Sequence, residues 1–230
     1  MYDDAPARAY VRHAETKPIH CMYERPGVLG MLPALLGGER VLDAGCGGGW
    51  LSDAVRTRGG RPTAIDASST MIALARERLG PGADIRQADL AARLPFDDRT
   101  FDRVVSSLTL HYLHDLTGGL RELARVAAPQ ATLVVSMHHP CTDARLADDA
   151  DYFTTRDTDD MWTFGGVPLE VRYVVRPLSA IFDALYDAGW ANVRIHEPRP
   201  DPAMADADPV WHRRLRTHPW FLFFTAERAA

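Results

Sequence analysis

The sequence predicts an α/β protein built on a mostly parallel β-sheet with helices on both faces. Strand-like and helix-like segments alternate through the middle of the chain, and a glycine-rich turn joins the first of these strands to the following helix. Such β-α alternation is typical of parallel sheets that are covered on both sides. A length of 230 residues, with 46% hydrophobic and 25% charged residues, fits one such domain with added segments.

The individual elements are predicted from short apolar runs, from β-branched residues and from residues that start or stop helices. Five strands are predicted in the alternating region, at residues 40–44, 62–66, 85–88, 101–106 and 131–137. Three helices are predicted between them, at residues 50–58, 69–79 and 116–127. A helix at 178–188 and strands at 192–196 and 220–226 continue the pattern.

Three stretches fall outside this regular pattern. Residues 138–177 hold acidic patches and aromatic residues without sustained periodicity, and residues 198–218 are spaced by prolines. We predict both to be lid-like insertions over an active site, because long loops on a compact sheet are usually functional or disordered. Residues 1–35 are predicted to form an N-terminal helical cap, and residues 36–230 the core with its two lids.

Composition and charge restrict the partners. The net charge is −5 and the longest basic run is only residues 212–214, which argues against a nucleic-acid surface. No apolar stretch approaches the roughly 18 residues of a membrane span, and the acidic N-terminus lacks the apolar core of a signal peptide. Cys21, Cys46 and Cys141 lack metal-ligand spacing and are expected to be free thiols. We therefore expect a cytoplasmic monomer or homodimer that acts on a small molecule and binds no metal, membrane or nucleic acid.

The turn at residues 41–49 (VLDAGCGGG) has the composition of a ligand-binding loop. Gly45, Gly47 and Gly49 let the backbone approach a ligand closely at the carboxyl end of the first strand. A dinucleotide-binding fingerprint would place glycine or alanine at position 50, where this chain has Trp50. The turn therefore favours a ligand other than a dinucleotide; a plain strand-to-helix turn is the alternative.

Two acidic residues follow at the ends of the next two strands. Asp66 lies 23 residues after Asp43 (66 − 43) and is placed to accept both hydroxyls of a ribose. The carboxylate of Asp89 would accept from an adenine amino group, while the N–H of Leu90 donates to the ring. Together with the glycine turn, these residues predict a pocket for adenosine without phosphates. Taken singly, Asp66 could be a helix cap and Asp89 a solvated loop residue.

Three motifs in order carry a resemblance to a known family, at residues 41–49 (VLDAGCGGG), 65–71 (IDASSTM) and 94–102 (LPFDDRTFD). They resemble the successive motifs of class I S-adenosylmethionine-dependent methyltransferases, and the nearest group is the UbiE-like small-molecule branch. The resemblance covers roughly residues 25–227 and implies a Rossmann-like seven-stranded sheet whose last strand is antiparallel. It also implies S-adenosyl-L-methionine as the cofactor and S-adenosyl-L-homocysteine as the product.

The resemblance assigns the cofactor site residue by residue. Asp43 would receive the amino group of the methionine end, and Arg25 would pair with the carboxylate of that end. Ser106, at the end of the fourth strand, would contact the same end of the cofactor. The remaining cofactor-binding candidates are Gly45, Gly47, Gly49, Asp66, Ala67, Met71, Asp89 and Leu90.

Catalytic residues are harder to predict, because methyl transfer is an in-line displacement in which positioning supplies much of the acceleration. A general base is needed only if the acceptor must lose a proton. Tyr23 in the cap, and His111 and His139 after the fourth and fifth strands, are the catalytic candidates. Of the adjacent histidines only one can face the pocket from extended backbone, and we expect it to be His139 rather than His138. Packing at a helix start or a satisfied polar contact is the alternative for His111, and a surface turn is the alternative for Tyr23.

Aromatic residues near the predicted lids are the substrate candidates. Trp162, Phe164 and Tyr173 lie in the first insertion and Tyr112 follows the fourth strand, which suggests a flat apolar acceptor held by stacking. Packing of the lid onto the sheet is the alternative.

A narrower resemblance rests on residues 138–140 (HHP), 152–153 (YF), 176–178 (RPL) and 197–198 (EP), with Trp162 and Gly165. They resemble a bacterial subgroup of specialised metabolism whose members methylate aromatic carbon, nitrogen or oxygen, including the indole C3 of tryptophan-derived diketopiperazines. Two other functions stay open. A nicotinamide-dependent oxidoreductase would share the fold but is opposed by Trp50, and a non-catalytic S-adenosylmethionine-binding module would keep the pocket without turnover.

Overall fold

The structure is a computed structural model that describes residues 4–142, 151–164 and 166–229. Its main sheet contains β1 (Arg40–Ala44), β2 (Arg61–Asp66), β3 (Asp84–Gln87), β4 (Phe101–Ser107), β5 (Ala127–His138), β8 (Trp190–His196) and β9 (Phe221–Arg228). A separate hairpin contains β6 (Arg156–Phe164) and β7 (Val167–Val175). The helices are α1 (Asp4–Thr16), α2 (Arg25–Met31), α3 (Trp50–Thr57), α4 (Ser69–Leu79), α5 (Leu116–Val126), α6 (Leu178–Asp187), α7 (Met204–Ala207) and α8 (Pro209–Thr217), with a π-helical turn at His20–Glu24 and a 3-10 turn at Leu110–Tyr112.

The order of the strands confirms the predicted fold. Across the sheet the order is β3-β2-β1-β4-β5-β9-β8. The pairs from β3 to β5 are parallel, and β9 runs antiparallel to both β5 and β8. The order reverses between β1 and β4, which leaves a crevice at the carboxyl ends of these two strands.

The central strands are apolar because helices cover both faces of the sheet. On β4, Val104 packs into one core cluster and its neighbour Val105 into the other, and both are fully buried. β5 begins at Ala127, four residues before its predicted start at 131. This early part contains Pro129 and is an irregular stretch in which the pairing with β4 changes register. Proline is tolerated in a strand at such irregularities.

The region from 138 to 177 contains regular structure that the sequence analysis did not predict. β6 and β7 pair over nine residues each as an antiparallel hairpin. Residues 170–173 of β7 alternate, with Val171 and Tyr173 buried and Glu170 and Arg172 exposed, and Val174 and Val175 at the end of the strand are both buried. This alternation is the period of a half-buried strand.

Residues 198–218 form two short helices rather than a lid over the crevice. Met204 in α7 and Leu215 in α8 are buried in the cluster that also contains Tyr23 and Phe223. The segment therefore covers the face of the sheet beside β9.

The described part of the predicted N-terminal cap is helical and lies over the crevice. Arg8 pairs with Glu77 at 3.5 Å, and Glu15 pairs with Arg78, so that α1 is tied to α4. Arg78 also donates through Nε to the carbonyl oxygen of Gly48 at 2.8 Å, which links α1 indirectly to the glycine turn. Among the described helices, none combines the length and apolar character needed to cross a bilayer.

Candidate functional site

A cavity of about 890 Å³ lies at the carboxyl ends of the parallel strands, where the strand order reverses. This volume is near the upper end of the roughly 300–1,000 Å³ usual for small-molecule sites. We call the part formed by residues at the ends of β1, β2 and β3 the strand half. We call the other part the cap half. It is formed by α1, the π-helical turn, Arg25, Trp50, the residues that follow β4, and residues of β7 itself.

The glycine turn after β1 forms the floor of the strand half. The N–H groups of Gly45 and Cys46 donate to the carbonyl oxygen of Ile65 at 2.9 and 2.8 Å, which fixes the turn against β2. Gly45 has a φ of +84°, and a Cβ at this position would overlap the side chain of Thr109. Gly47 lines the cavity, and a Cβ there would meet nothing within 4 Å among the described residues. The turn thus places bare backbone against the space where a ligand would lie.

Asp66 lies at the end of β2, and its carboxylate has a fixed position on the cavity wall. It accepts from the backbone N–H of Gly47 at 3.0 Å and from that of Ser68 at 2.9 Å. Burial raises the pKa of Asp66, and these two N–H donors oppose the rise. Since a carboxylate has about four acceptor sites, Asp66 can accept further hydrogen bonds from a ligand.

Asp43 lies at the end of β1, where only 1% of it is exposed. Ser52 Oγ donates to Asp43 Oδ2 at 2.6 Å, whereas Oδ1 has no hydrogen-bond partner among the described residues. Burial raises the pKa of Asp43 to about 7, although the bonds from Ser52 oppose the rise. An acceptor that is buried without a partner costs free energy. A positively charged donor from a ligand would satisfy it.

The end of β3 supplies the remaining wall of the strand half. Asp89 is exposed and accepts from the N–H of Ala91 at 2.9 Å, and Leu90 beside it is buried. The predicted cofactor residues that line the cavity are Arg25, Asp43, Gly45, Gly47, Asp66, Ala67, Met71, Asp89 and Leu90.

Gly49 and Ser106, which we expected to contact the cofactor, do not line this cavity. Gly49 begins α3 with a φ of +79° and packs closely against Ala75 of α4. Ser106 is buried, and its Oγ donates to the carbonyl oxygen of Ala44 at 2.9 Å, which joins β4 to β1. Both residues lie behind the glycine turn and help to hold it in place.

The cap half combines aromatic rings with a few charged groups. Tyr10 and His20 line it, with their ring centroids 6.3 Å apart in an edge-on arrangement. The guanidinium of Arg25 lies 4.7 Å from the ring centroid of Trp50, close enough for a cation–π contact. Burial lowers the pKa of His20 to about 3, so this ring is neutral near neutral pH.

Glu24 is a cavity residue that the sequence analysis missed. It is 1% exposed, and its Oε1 accepts from Ser107 Oγ at 2.8 Å and from Ser136 Oγ at 2.5 Å. These partners are 83 and 112 residues away along the chain, so no spacing within a motif could have revealed them. The one sequence signal was the charged pair Glu24-Arg25 immediately before Pro26.

His111 belongs to an aromatic cluster behind the cavity wall and does not line the cavity. Its ring stacks on that of His138 with centroids 3.9 Å apart and planes at 10°. Tyr173 packs edge-on against both histidines, and Trp162 lies 5.5 Å from His138. His111 is 1% exposed, and burial lowers its pKa well below the ordinary value.

Of the predicted substrate residues, Tyr112 lines the cavity, whereas Trp162 and Tyr173 pack the hairpin against its wall. The side chain of Phe164 lies outside the described residues. We expected these rings to hold a substrate, but the packing that the sequence analysis left as the alternative is the arrangement found for Trp162 and Tyr173.

Tyr23 and His139, two of the predicted catalytic residues, line a different and smaller cavity of about 180 Å³. Tyr23 is 2% exposed and its ring packs against Phe221 and Phe223. His139 lies beyond the end of β5, and its Nδ1 accepts from the N–H of Cys141 at 3.2 Å. The expectation that His139 faces the active site is therefore not met, and His138 does not line the large cavity either, since it stacks on His111 behind the cavity wall.

Comparisons with known proteins agree on one family. A family profile described as a methyltransferase domain matches residues 42–135. The chain is 38% identical over 135 residues to a malonyl-[acyl-carrier protein] O-methyltransferase of Erwinia pyrifoliae, a match that covers 56% of this chain and 47% of the relative. It is 39% identical over 102 residues to a demethylmenaquinone methyltransferase of Thermobifida fusca, covering 43% of each chain. The chain thus spans about half the length of these curated relatives.

A solved structure extends the similarity to nearly the whole chain. An S-adenosylmethionine-dependent methyltransferase from Mesorhizobium loti is 26% identical, with a TM-score of 0.71 over 94% of this chain and 100% of that one. The cavity residues fit the cofactor of such enzymes. The unpartnered Oδ1 of Asp43 suits an ammonium group, and Asp66 is placed for ribose hydroxyls. Gly47 leaves room beside them, and Arg25 would meet the carboxylate.

Proposed function

The chain belongs to the class I S-adenosylmethionine-dependent methyltransferases, and from this premise we propose that it transfers a methyl group from that cofactor to a small aromatic acceptor. The observation that carries the proposal is a single cavity with two chemically different halves. The strand half has the acidic residues and bare backbone that adenosine and an amino acid end require. The cap half offers space for a second molecule beside them.

The residues of the strand half would hold the cofactor in a fixed orientation. Asp66 would accept the ribose hydroxyls, and Asp89 with Leu90 would contact the adenine. Asp43 and Arg25 would bind the amino and carboxylate groups of the methionine end. When bound, S-adenosylmethionine supplies an electrophilic methyl group on a sulfonium, and the protein contributes chiefly by positioning.

An aromatic acceptor is supported by the walls of the cap half. Tyr10, Trp50 and Tyr112 supply rings, and Leu169 and Val171 of β7 supply apolar surface. Flat apolar molecules pack well against such rings in stacked or edge-on geometry. The net charge of −5 and the short basic runs of the sequence favour a small acceptor over a nucleic acid.

The atom methylated is a finer part of the proposal. The name of one curated relative specifies O-methylation of malonyl-[acyl-carrier protein]. The name of another specifies methylation of demethylmenaquinone. The resemblance to a subgroup of specialised metabolism favours an aromatic carbon, nitrogen or oxygen, with the indole C3 of a tryptophan-derived diketopiperazine as one example. Among the aromatic acceptors, indoles and phenols carry a ring N–H or O–H.

Calorimetric titration of S-adenosylhomocysteine and of NADH, each into the purified protein, tests the cofactor. We expect S-adenosylhomocysteine alone to bind; binding of NADH alone would contradict the proposal and favour an oxidoreductase. Release of S-adenosylhomocysteine from S-adenosylmethionine in the presence of indoles and phenols, measured by mass spectrometry, then tests the acceptor class. A protein that binds the cofactor but turns over no such probe would be a binding module instead.

A further inference from the structure

Glu24 is the carboxylate that the fold buries at the cap half of the cavity. It ends the π-helical turn His20–Glu24 and lies next to Arg25, with 1% of its surface exposed. The other carboxylates at this half, those of Glu15, Asp115 and Glu170, belong to exposed residues. Burying a carboxylate costs several kcal/mol unless partners offset the loss of water. Its retention here therefore calls for a physical reason.

Two serine hydroxyls fix the orientation of this carboxylate. Ser107 lies at the end of β4 and Ser136 on β5, and both donate to the same oxygen, Oε1. Ser136 Oγ in turn accepts from the N–H of Leu108 at 3.2 Å, which sets the direction of its own proton. Among the described residues, both hydrogen bonds to this carboxylate end on Oε1 and none reaches Oε2. The carboxylate is thus positioned with one oxygen available.

The location of Glu24 sets it apart from the cofactor residues. Its serine partners lie at the ends of β4 and β5, whereas Asp43 and Asp66 lie at the ends of β1 and β2. A cofactor that crosses the switch point between β1 and β4 would have its reacting end directed towards Ser107. Glu24 is then on the acceptor's side of the reacting atoms.

We propose that Glu24 is a catalytic residue that accepts, through Oε2, the proton which an N–H or O–H acceptor loses as it is methylated. This inference rests on the proposed function. The acceptor's electron pair forms the bond to the methyl carbon, while the carbon–sulfur pair returns to sulfur and neutralises the sulfonium. The acceptor's proton passes to Glu24 Oε2, which loses its negative charge. Charge and atoms balance without any further reactant.

The surroundings of Glu24 suit this role. Burial raises the pKa of Glu24 while the bonds from Ser136 and Ser107 and the charge of Arg25 oppose the rise. A carboxylate with a raised pKa is a stronger base, and a base works best when its pKa is near the working pH. Arg25 is the charged group that acts on it, since His20 is neutral.

The same placement restricts the acceptor. A buried carboxylate attracts a hydrogen-bond donor and repels a second carboxylate. We therefore infer an acceptor that presents an N–H or O–H to the cap half, in contrast to one that presents a carboxylate.

The first test measures binding and needs no turnover. The protein saturated with S-adenosylhomocysteine is titrated with two matched pairs of probes, indole with 1-methylindole and phenol with anisole. Wild type should bind the N–H or O–H member of at least one pair several-fold more tightly than its methylated partner, and Glu24→Gln should reduce that preference. If wild type distinguishes neither pair, the assignment is overturned.

The second test compares Glu24→Gln with wild type in the affinity for S-adenosylhomocysteine and in the rate at which an indole or phenol probe is methylated. Glu24→Gln keeps the size of the side chain and should leave the affinity for S-adenosylhomocysteine within about twofold, yet lower turnover by about 100-fold or more. The matched control is Glu227→Gln, the same chemical change at an exposed position on β9, which should leave both measurements unchanged.

The outcomes separate the two proposals. Full turnover by Glu24→Gln would overturn the assignment of Glu24 alone, as would a tenfold loss of affinity for S-adenosylhomocysteine. Failure of wild type to bind S-adenosylhomocysteine would contradict the proposed function and, with it, this inference.

Discussion

The two halves of the cavity are built in different ways. In the strand half, the ligand-facing residues lie at the end of a strand or shortly after it, and bonds such as the one from the N–H of Gly45 to the carbonyl oxygen of Ile65 hold the backbone in place. In the cap half, the side chains come from segments far apart in the chain, as the bonds from Glu24 to Ser107 and Ser136 show. The difference teaches that the residues proposed to bind the cofactor depend on the sheet, whereas those proposed to bind the acceptor depend on the segments laid over it.

The largest effect is expected from Gly45→Ala, which tests whether the strand half depends on bare backbone. The new methyl group would overlap Thr109 in a backbone with φ +84°, so cofactor affinity should fall by at least about 100-fold. Gly59→Ala is the control, because its φ is +81° but no described atom lies within 4 Å of its Cβ. Calorimetry with S-adenosylhomocysteine should show normal affinity for Gly59→Ala; equal losses in both variants would mean that strain alone is responsible.

A smaller effect is expected from Asp66→Ala, which removes the ribose acceptor without filling the cavity. Charge-assisted hydrogen bonds contribute about 1.5–3 kcal/mol each, but water in the space left by alanine can replace part of the loss, so the affinity for S-adenosylhomocysteine should fall by roughly 10- to 100-fold in total. Asp84→Ala on the neighbouring strand β3 removes an exposed carboxylate that pairs with Arg86, and should leave affinity unchanged. Unchanged affinity in Asp66→Ala would refute the ribose assignment.

The pH dependence of cofactor binding gives a more graded test of the strand half. Asp43 has a pKa of about 7 in the free protein, and an ammonium group from the ligand favours its ionised form. Affinity should therefore rise by about tenfold between about pH 6 and pH 8, as the fraction of ionised Asp43 increases. Calorimetry across this range should show the rise in wild type and a flat, weaker profile in Asp43→Asn. A wild-type profile that falls with pH would contradict the contact.

The smallest effects are expected at the second cavity, which marks the boundary of the site. Tyr23→Phe and His139→Ala should each leave affinity for S-adenosylhomocysteine within about twofold, because both residues line the smaller cavity. We expect turnover to be retained as well. A clear loss of turnover in His139→Ala, with cofactor affinity intact, would restore His139 as a catalytic candidate.

Most of the sheet was predictable because its signals are local. The strands of the alternating region follow from apolar runs bounded by turn residues, and the cofactor residues from motifs adjacent to those strands. The hairpin of β6 and β7 was missed although residues 170–173 of β7 alternate between exposed and buried. Its partner β6 carries Asp157, Asp159 and Asp160, and this concentration of acidic residues is typical of a loop, so no strand was predicted there.

The cap half could not be predicted from spacing. Glu24 is recognisable only through serines on two distant strands, and those contacts exist only after folding. The choice between His138 and His139 failed for a related reason. Adjacent residues of extended backbone point in opposite directions, but only the folded structure shows that His138 stacks on His111 and that His139 lines the smaller cavity.

The central claim is that one cavity holds the cofactor in its strand half and the acceptor in its cap half. A crystal structure of the protein with S-adenosylhomocysteine bound tests this claim most directly. We predict that the ribose hydroxyls bond to Asp66, the amino group bonds to Asp43, and the sulfur faces the side of the cavity that contains Glu24 and Tyr112. An S-adenosylhomocysteine molecule with its ribose away from Asp66, or with its sulfur directed away from the cap half, would contradict the account.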